Sequence, residues 1–245
     1  MDVVIVTGAA GGIGSVYVQG LAKAGYAVAA ADLRPPEQLV ARVKAGGGTA
    51  LAVAVDVSDR ASTEAMAAKV HDAFGRIDGL VNNAAYYSAI VKKDFTELTD
   101  QEWDLCFAVN VRGAWLSARA VVAAMKRQGR GKIVNIASMT VPTAPPGFAH
   151  YIASKAAIVG LTRALARELG GDRICVNTLS PDYIAFDRDY DNRQPDMRQM
   201  LTAQRCIRRE ETADDLLGTL LYLLGPASDF VTGQDIWVNG GRAFG

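Results

Sequence analysis

The chain reads as a doubly wound α/β protein with a mainly parallel sheet. Two observations predict this. Short apolar runs alternate with amphipathic helical stretches along the whole 245 residues. Six of the seven apolar runs are continuous rather than alternating, as expected for strands buried on both faces. A third observation, a glycine-rich turn between the first run and the first helix, predicts a phosphate-binding loop at one strand end.

The expected strands are "VVIV" (3–6), "AVAAAD" (27–32), "ALAVAVDV" (50–57), "IDGLVNNA" (77–84), "KIVNIAS" (132–138), "ICVNTLS" (174–180) and "DIWVNG" (235–240). Helices are expected near 13–24, 36–45, 60–74, 100–128, 150–169 and 212–224. Thr99 and Glu102 form a capping box at the start of the fourth. Asp214 and Asp215 follow Thr212 and suit the positive end of a helix dipole. No repeat, low-complexity tract or linker divides the chain, so one domain over 1–245 is expected. The polar stretch 181–211 matches no element and reads as a substrate loop or lid.

Composition narrows the function. Lys+Arg and Asp+Glu balance at 26 each, giving no basic excess for nucleic acid. The three cysteines, Cys106, Cys175 and Cys206, form no CxxC pair and no metal spacing, so no metal is expected. A reduced, cytoplasmic compartment is the expectation. No signal-type start and no apolar run of about 18 residues is seen, so no membrane span is expected.

"TGAAGGIG" (7–14) places Gly8, Gly11, Gly12, Ile13 and Gly14 between the first strand and first helix. Glycine permits the tight turn and the close approach of backbone to a pyrophosphate, and the helix N-terminus offers unpaired N–H groups. Asp32 ends the second strand, 18 residues after Gly14, where an acid accepts hydrogen bonds from an adenosine ribose and repels a 2′-phosphate. NAD is therefore expected over NADP, although Arg34 is placed to soften that repulsion. In "YIASK" (151–155), Tyr151 and Lys155 lie one turn apart on one helix face.

These motifs together resemble the short-chain dehydrogenase/reductase family over essentially the whole chain. "NNAA" (82–85) resembles the family's Asn-Asn-Ala-Gly motif, and "VNV" (109–111) its active-site asparagine segment. "IAS" (136–138) sets Ser138 13 residues before Tyr151, and "SDFVTGQDIWVNGG" (228–241) resembles the closing segment. The resemblance implies a Rossmann-type sheet of order 3-2-1-4-5-6-7 and a homotetramer. It implies catalytic roles for Asn110, Ser138, Tyr151 and Lys155. Tyr151 is the acid/base, and Lys155 lowers its pKa and holds the nicotinamide ribose. Ser138 holds the substrate oxygen, and Asn110 positions a water. The cofactor would also meet Leu33, Asp56, Val57, Asn82, Asn83, Ala84, Ala85, Pro181 and Ile184. Ser138, Thr140, Phe148, Tyr151 and Tyr183 would line the substrate pocket.

A free phenol has a pKa of about 10, and nearby positive charge lowers it. That pairing makes Tyr151 a base for alcohol oxidation and an acid for ketone reduction. Aromatic and proline residues (Tyr86, Tyr87, Pro142, Pro145, Pro146, Phe148, Tyr183, Phe186) favour an apolar or aromatic substrate. They serve equally as packing for the lid. A 3-oxoacyl-thioester reductase is the alternative, expected to prefer NADPH and to carry a basic patch. A non-catalytic dinucleotide sensor would show a broken catalytic set. His150 reads as a helix-start residue and His71 as structural.

Three positions depart from the family pattern. Asp182 stands where glycine usually follows Pro181, which predicts either a positive φ there or a carboxylate near the nicotinamide. Phe186 stands where a threonine is usual, removing a hydroxyl contact to the cofactor. Ala85 replaces a glycine and narrows the cleft.

Overall fold

A computed structural model describes residues 1–184 and 195–245. Seven strands form one parallel sheet in the order β3-β2-β1-β4-β5-β6-β7. They are β1 (Val3–Thr7), β2 (Ala27–Asp32), β3 (Thr49–Ala54), β4 (Gly79–Asn82), β5 (Gly131–Ile136), β6 (Ile174–Pro181) and β7 (Asp235–Val238). The helices are α1 (Gly12–Lys23), α2 (Glu37–Ala45), α3 (Arg60–Phe74), α4 (Asp100–Phe107), α5 (Gly113–Gln128), α6 (Thr140–Thr143), α7 (Ala149–Leu169), α8 (Pro195–Gln204) and α9 (Asp214–Leu224).

β1 shows why the sheet needs two covering layers. All five of its residues are buried, and the pleat sends alternate side chains to opposite faces. Val3 and Ile5 join the core with Met66 and Val70 of α3, Val121 and Met125 of α5, and Leu169 of α7. Val4 and Val6 join the other core with Tyr17 and Leu21 of α1, Leu39 and Val43 of α2, and Leu216, Leu220 and Leu223 of α9. A buried aliphatic side chain contributes about 1.5–3 kcal/mol, so both layers stabilise the sheet they sandwich.

The Thr99–Glu102 capping box forms as expected, with both reciprocal bonds made. Thr212 instead receives its cap partner from within the helix: its N–H and hydroxyl both meet Asp215 Oδ2. The stretch 100–128 differs from the expected single helix. One π-helical turn, Ala108–Arg112, separates α4 from α5. By length and hydropathy this stretch is apolar enough to cross a membrane. Its Ala118, Val121, Ala124 and Met125 are instead packed in the core on the α3 side of the sheet.

The stretch 181–211 is also not featureless. It continues β6 through Pro181 and contains α8. The sequence hid α8 because it opens on a proline and its few apolar residues lie in a polar, charged stretch. Phe186 lies outside the described residues.

Candidate active site

The order of the sheet reverses between β1 and β4, opening a crevice at the carboxyl ends of the strands. Gly8, Asp32, Asp56, Asn83, Ser138 and Pro181 all sit at those ends.

The glycine loop is locked to the end of β4 by neutral hydrogen bonds. Asn83 Nδ2 donates to the carbonyls of Thr7 and Gly8, each at 3.0 Å. Thr7 Oγ1 accepts from the N–H groups of Asn83 and Ala84, each at 3.1 Å. This closeness is what demands glycine. A Cβ on Gly14 would lie 2.2 Å from the Gly8 carbonyl oxygen, and one on Gly8 would lie 2.7 Å from Ala84 Cα. A Cβ on Gly11 would meet nothing within 4 Å, so the loop's outer rim is open. Gly11 also begins α1 with no side-chain cap, leaving first-turn N–H groups for a ligand. Asp32 borders the rim, its carboxylate accepting from Ala10 N–H at 2.9 Å. An uncapped helix start, an open rim and an acid beside it fit a dinucleotide.

The other expected cofactor positions divide by exposure. Leu33, Asp56 and Ala85 are exposed, and Ile13, Asn83, Ala84 and Ile184 are half-buried. Asp56 is a turn residue, accepting from both the N–H and the hydroxyl of Ser58. Val57 is buried beside Gly113, just past the π turn. Asn82 points away from the crevice. Its amide donates to Ala114 O and to Asn135 Oδ1, and Asn135 passes the chain on to Thr162.

Asn110, Ser138, Tyr151 and Lys155 converge. α7 places Tyr151 and Lys155 one turn apart, with Lys155 Nζ 5.7 Å from the Tyr151 ring centre. Lys155 is 3 % exposed and donates to the Ile136 carbonyl at the end of β5, at 2.7 Å. Ser138 Oγ accepts from Thr140 N–H and Thr140 Oγ1 and also bonds Tyr151. Asn110 lies in the π turn, where the disrupted helical bonding lets a side chain and backbone face the crevice. Its Oδ1 accepts from Tyr86 N–H at 2.7 Å, and its Nδ2 donates to Ser154 Oγ and Cys106 Sγ. Asn110 therefore holds the β4–α4 loop against α7.

The electrostatics correct one expectation. Burial pushes the Tyr151 phenol above its ordinary range; Tyr87 and Cys106 add to the rise, and the Ser138 hydrogen bond opposes it. Burial also draws Lys155 down to about 8. Tyr151 is held neutral and the Lys155 charge is weakened, so burial outweighs any lowering of the Tyr151 pKa by Lys155 alone. A low-dielectric pocket raises the cost of charge on both.

Tyr151 sits in an aromatic enclosure. Its ring centre is 5.1 Å from Tyr87 and 6.2 Å from Phe148, with Ile90, Cys106, Tyr86 and Ile152 completing the cluster. Phe148 thus packs near Tyr151, and Thr140 is joined to Tyr151 through Ser138. Tyr183 does not join this group and lines a small cavity under α8 with Arg198, Thr202 and Arg205. His150 is buried and adjoins the Lys93–Glu102 ion pair; burial lowers its pKa.

Asp182 behaves unlike either expectation. Among the described residues only Ala144 and Arg173 are non-glycine residues with positive φ. The Asp182 side chain is 2 % exposed and is bound by Arg205 and Arg242. Sequence reasoning also passed over Thr7 as a ligand-loop anchor and Cys106 and Ser154 as supports of Asn110. Thr7 opens the glycine motif and carried a signal. The other two form contacts only through folding.

A family model described as enoyl-(acyl carrier protein) reductase matches residues 8–243. The 3-oxoacyl-[acyl-carrier-protein] reductase FabG of Staphylococcus aureus is 34 % identical over 242 residues, covering 97 % of this chain and 96 % of its own. The chain belongs to the short-chain dehydrogenase/reductase family. Two further members agree. The (2S)-[(R)-hydroxy(phenyl)methyl]succinyl-CoA dehydrogenase subunit BbsD of Thauera aromatica is 36 % identical over 244 residues, covering 98 % of this chain and 96 % of its own. A short-chain type dehydrogenase/reductase structure from Mycobacterium ulcerans superposes with a TM-score of 0.93 at 26 % identity, covering 98 % of this chain and 89 % of that one. The protein is an oxidoreductase acting on CH–OH or keto groups, and the family binds a nicotinamide dinucleotide.

Proposed function

We propose that the enzyme is an NAD-dependent secondary-alcohol dehydrogenase, equally a ketone reductase, acting on an apolar or aryl-bearing small molecule. The observation that carries this reading is the enclosure of Tyr151 by Tyr87 and Phe148, with Ser138 bonded to its phenol and Lys155 under its ring. A flat apolar group fits such walls.

The glycine loop with Gly8, Gly11, Gly12, Ile13 and Gly14, flanked by Asn83, Ala84 and Ala85, would hold the pyrophosphate and adjacent ribose. Asp32 would accept from the adenosine ribose hydroxyls, with Leu33, Asp56 and Val57 beside the adenine. Its negative charge at the rim supports NAD over NADP. Tyr151 and Lys155 would contact the nicotinamide ribose, and Pro181 and Ile184 the nicotinamide itself. When bound, the nicotinamide accepts or donates the hydride and, oxidised, adds positive charge beside Tyr151.

The chain's own residues manage the proton. Ser138 holds the substrate oxygen at Tyr151 Oη. Tyr151 removes the hydroxyl proton during oxidation and returns it during reduction. Burial excludes water and raises the phenol pKa, so Tyr151 alone stands protonated at neutral pH, the form that ketone reduction needs. Alcohol oxidation is therefore expected to rise with pH as Tyr151 gives up its proton, while ketone reduction holds on the acid side. Asn110 anchors the loop that carries Tyr86 and Tyr87, which supports a site for a proton-exchanging water near its π turn.

An assay at 340 nm on apolar and aryl alcohols, with NAD and NADP side by side, tests the class. Tyr151→Phe should lower turnover about 10²–10⁴-fold with NADH binding kept. Unchanged turnover would sink the mechanism. The second reading, reduction of a 3-oxoacyl thioester with NADPH, is favoured by the 34 % identical reductase. It predicts faster turnover of acetoacetyl thioesters with NADPH than of any alcohol with NAD. We further propose a cytoplasmic homotetramer of single-domain subunits in which 181–211 is the substrate loop. Sedimentation as a monomer at micromolar concentration would refute the tetramer.

A further inference from the structure

At the far end of the crevice one carboxylate gathers several pieces of chain. Asp182 follows the last residue of β6, and its N–H donates to Val238 O of β7. Asp182 Oδ2 accepts from Arg205 Nε at 3.1 Å and from Arg205 Nη2 at 2.9 Å, and Oδ1 accepts from Arg242. The guanidinium of Arg205 is then shared. Its Nη2 donates to Tyr183 O at 3.1 Å and its Nη1 to Arg209 O at 3.0 Å, and Glu211 lies 3.7 Å away. Ile184 bridges to Glu211 as an isolated parallel pair. The side chains of Asp182, Arg205 and Glu211 are 2 %, 3 % and 5 % exposed. Asp182 has both oxygens bonded, whereas the Glu211 oxygens have no hydrogen-bond partner, so the Asp182–Arg205–Arg242 set is the part that can fix geometry.

We propose that Asp182 is a positioning residue: through Arg205 and Arg242 it fixes residues 181–184, the wall that faces the nicotinamide half of the cofactor. The proposal rests on the dinucleotide placement above. A glycine at this position would leave that wall free to move, whereas the carboxylate ties it to the end of α8, to 209–211 and to the C-terminal turn. The adenosine half of the site, at the glycine loop and Asp32, shares none of these contacts.

The two halves can be probed separately. NADH spans both, and ADP-ribose lacks only the nicotinamide that the 181–184 wall would face. Asp182→Asn should weaken NADH about tenfold, as expected when a buried charge pair is broken, and leave ADP-ribose within about twofold. Arg242→Gln leaves the Asp182–Arg205 pair intact and folds more safely; it should weaken NADH in the same direction by about threefold. The double variant Asp182→Asn/Arg242→Gln restores charge balance and should recover part of the loss. Equal weakening of NADH and ADP-ribose, or no change in either, would overturn the positioning role. A wild-type protein that binds neither ligand would overturn the placement itself, and the proposal with it.

Discussion

At the β1–β4 end of the crevice, neutral groups hold the walls together. Thr7 and Asn83 exchange hydrogen bonds with backbone, and Gly8 and Gly14 let the chains nearly touch. At the β6 end the walls are held by charge, with Asp182 between Arg205 and Arg242 and Glu211 close by. The neutral junction tolerates no added atom but carries no dependence on pH. The charged junction spans longer gaps between segments but depends on every partner keeping its proton state. A site that must grip a constant pyrophosphate is served by the first design. A wall set by the particular sequence of this chain is served by the second.

Three changes sharpen that contrast. The largest effect is expected from Gly14→Ala. The new methyl collides with backbone rather than with a movable side chain, so overpacking should cost about 1–3 kcal/mol or more and abolish dinucleotide binding. Differential scanning calorimetry with and without NADH reads both. A variant that melts and binds like the wild type would show the junction to be looser than described.

Thr7→Val is smaller. It preserves shape but leaves the N–H groups of Asn83 and Ala84 without their acceptor, at about 1–3 kcal/mol. For a chain of this size that lowers Tm by about 2–4 °C per kcal/mol. The loss should be the same at pH 5 and pH 8, because no titrating group is involved.

The third effect is a slope. Burial, reinforced by repulsion from Asp182, raises Glu211 to about 8 from an ordinary value near 4.5. A group whose pKa is raised by folding binds more protons when folded than when unfolded. Stability is therefore full below about 4.5 and falls as pH climbs toward about 8. Glu211→Gln should flatten the fall in Tm over that window. An identical pH profile in the variant would show that Glu211 does not hold its proton.

The same contrast explains what was legible in the sequence. The glycine loop, Asp32 and the Tyr151–Lys155 pair are read directly because their chemistry lies in contiguous or helically spaced residues. The strands are read because burial on two faces leaves continuous apolar runs, as in β1. Asp182 was noticed only as an anomaly: its partners lie 23 and 60 residues further along, and no local pattern joins them. α8 escaped because its apolar period is only Met197, Met200 and Leu201, too short to stand out in a polar stretch. The neutral state of Tyr151 and the weakened charge of Lys155 escaped because both follow from burial, which a motif does not report.

The π turn at Ala108–Arg112 carries a last consequence, one of phase. A helix advances about 100° per residue, so on an uninterrupted helix Trp103 and Trp115 would point about 120° apart. A bulge that absorbs one residue brings them to within about 20° of a common line. Both indoles are exposed, at 41 % and 39 %. The device that turns Asn110 toward the crevice also aligns two tryptophans along the outside of the same rod. Deleting a single residue from 108–112 would heal the helix and keep the two indoles in line, but would remove the turn that carries Asn110.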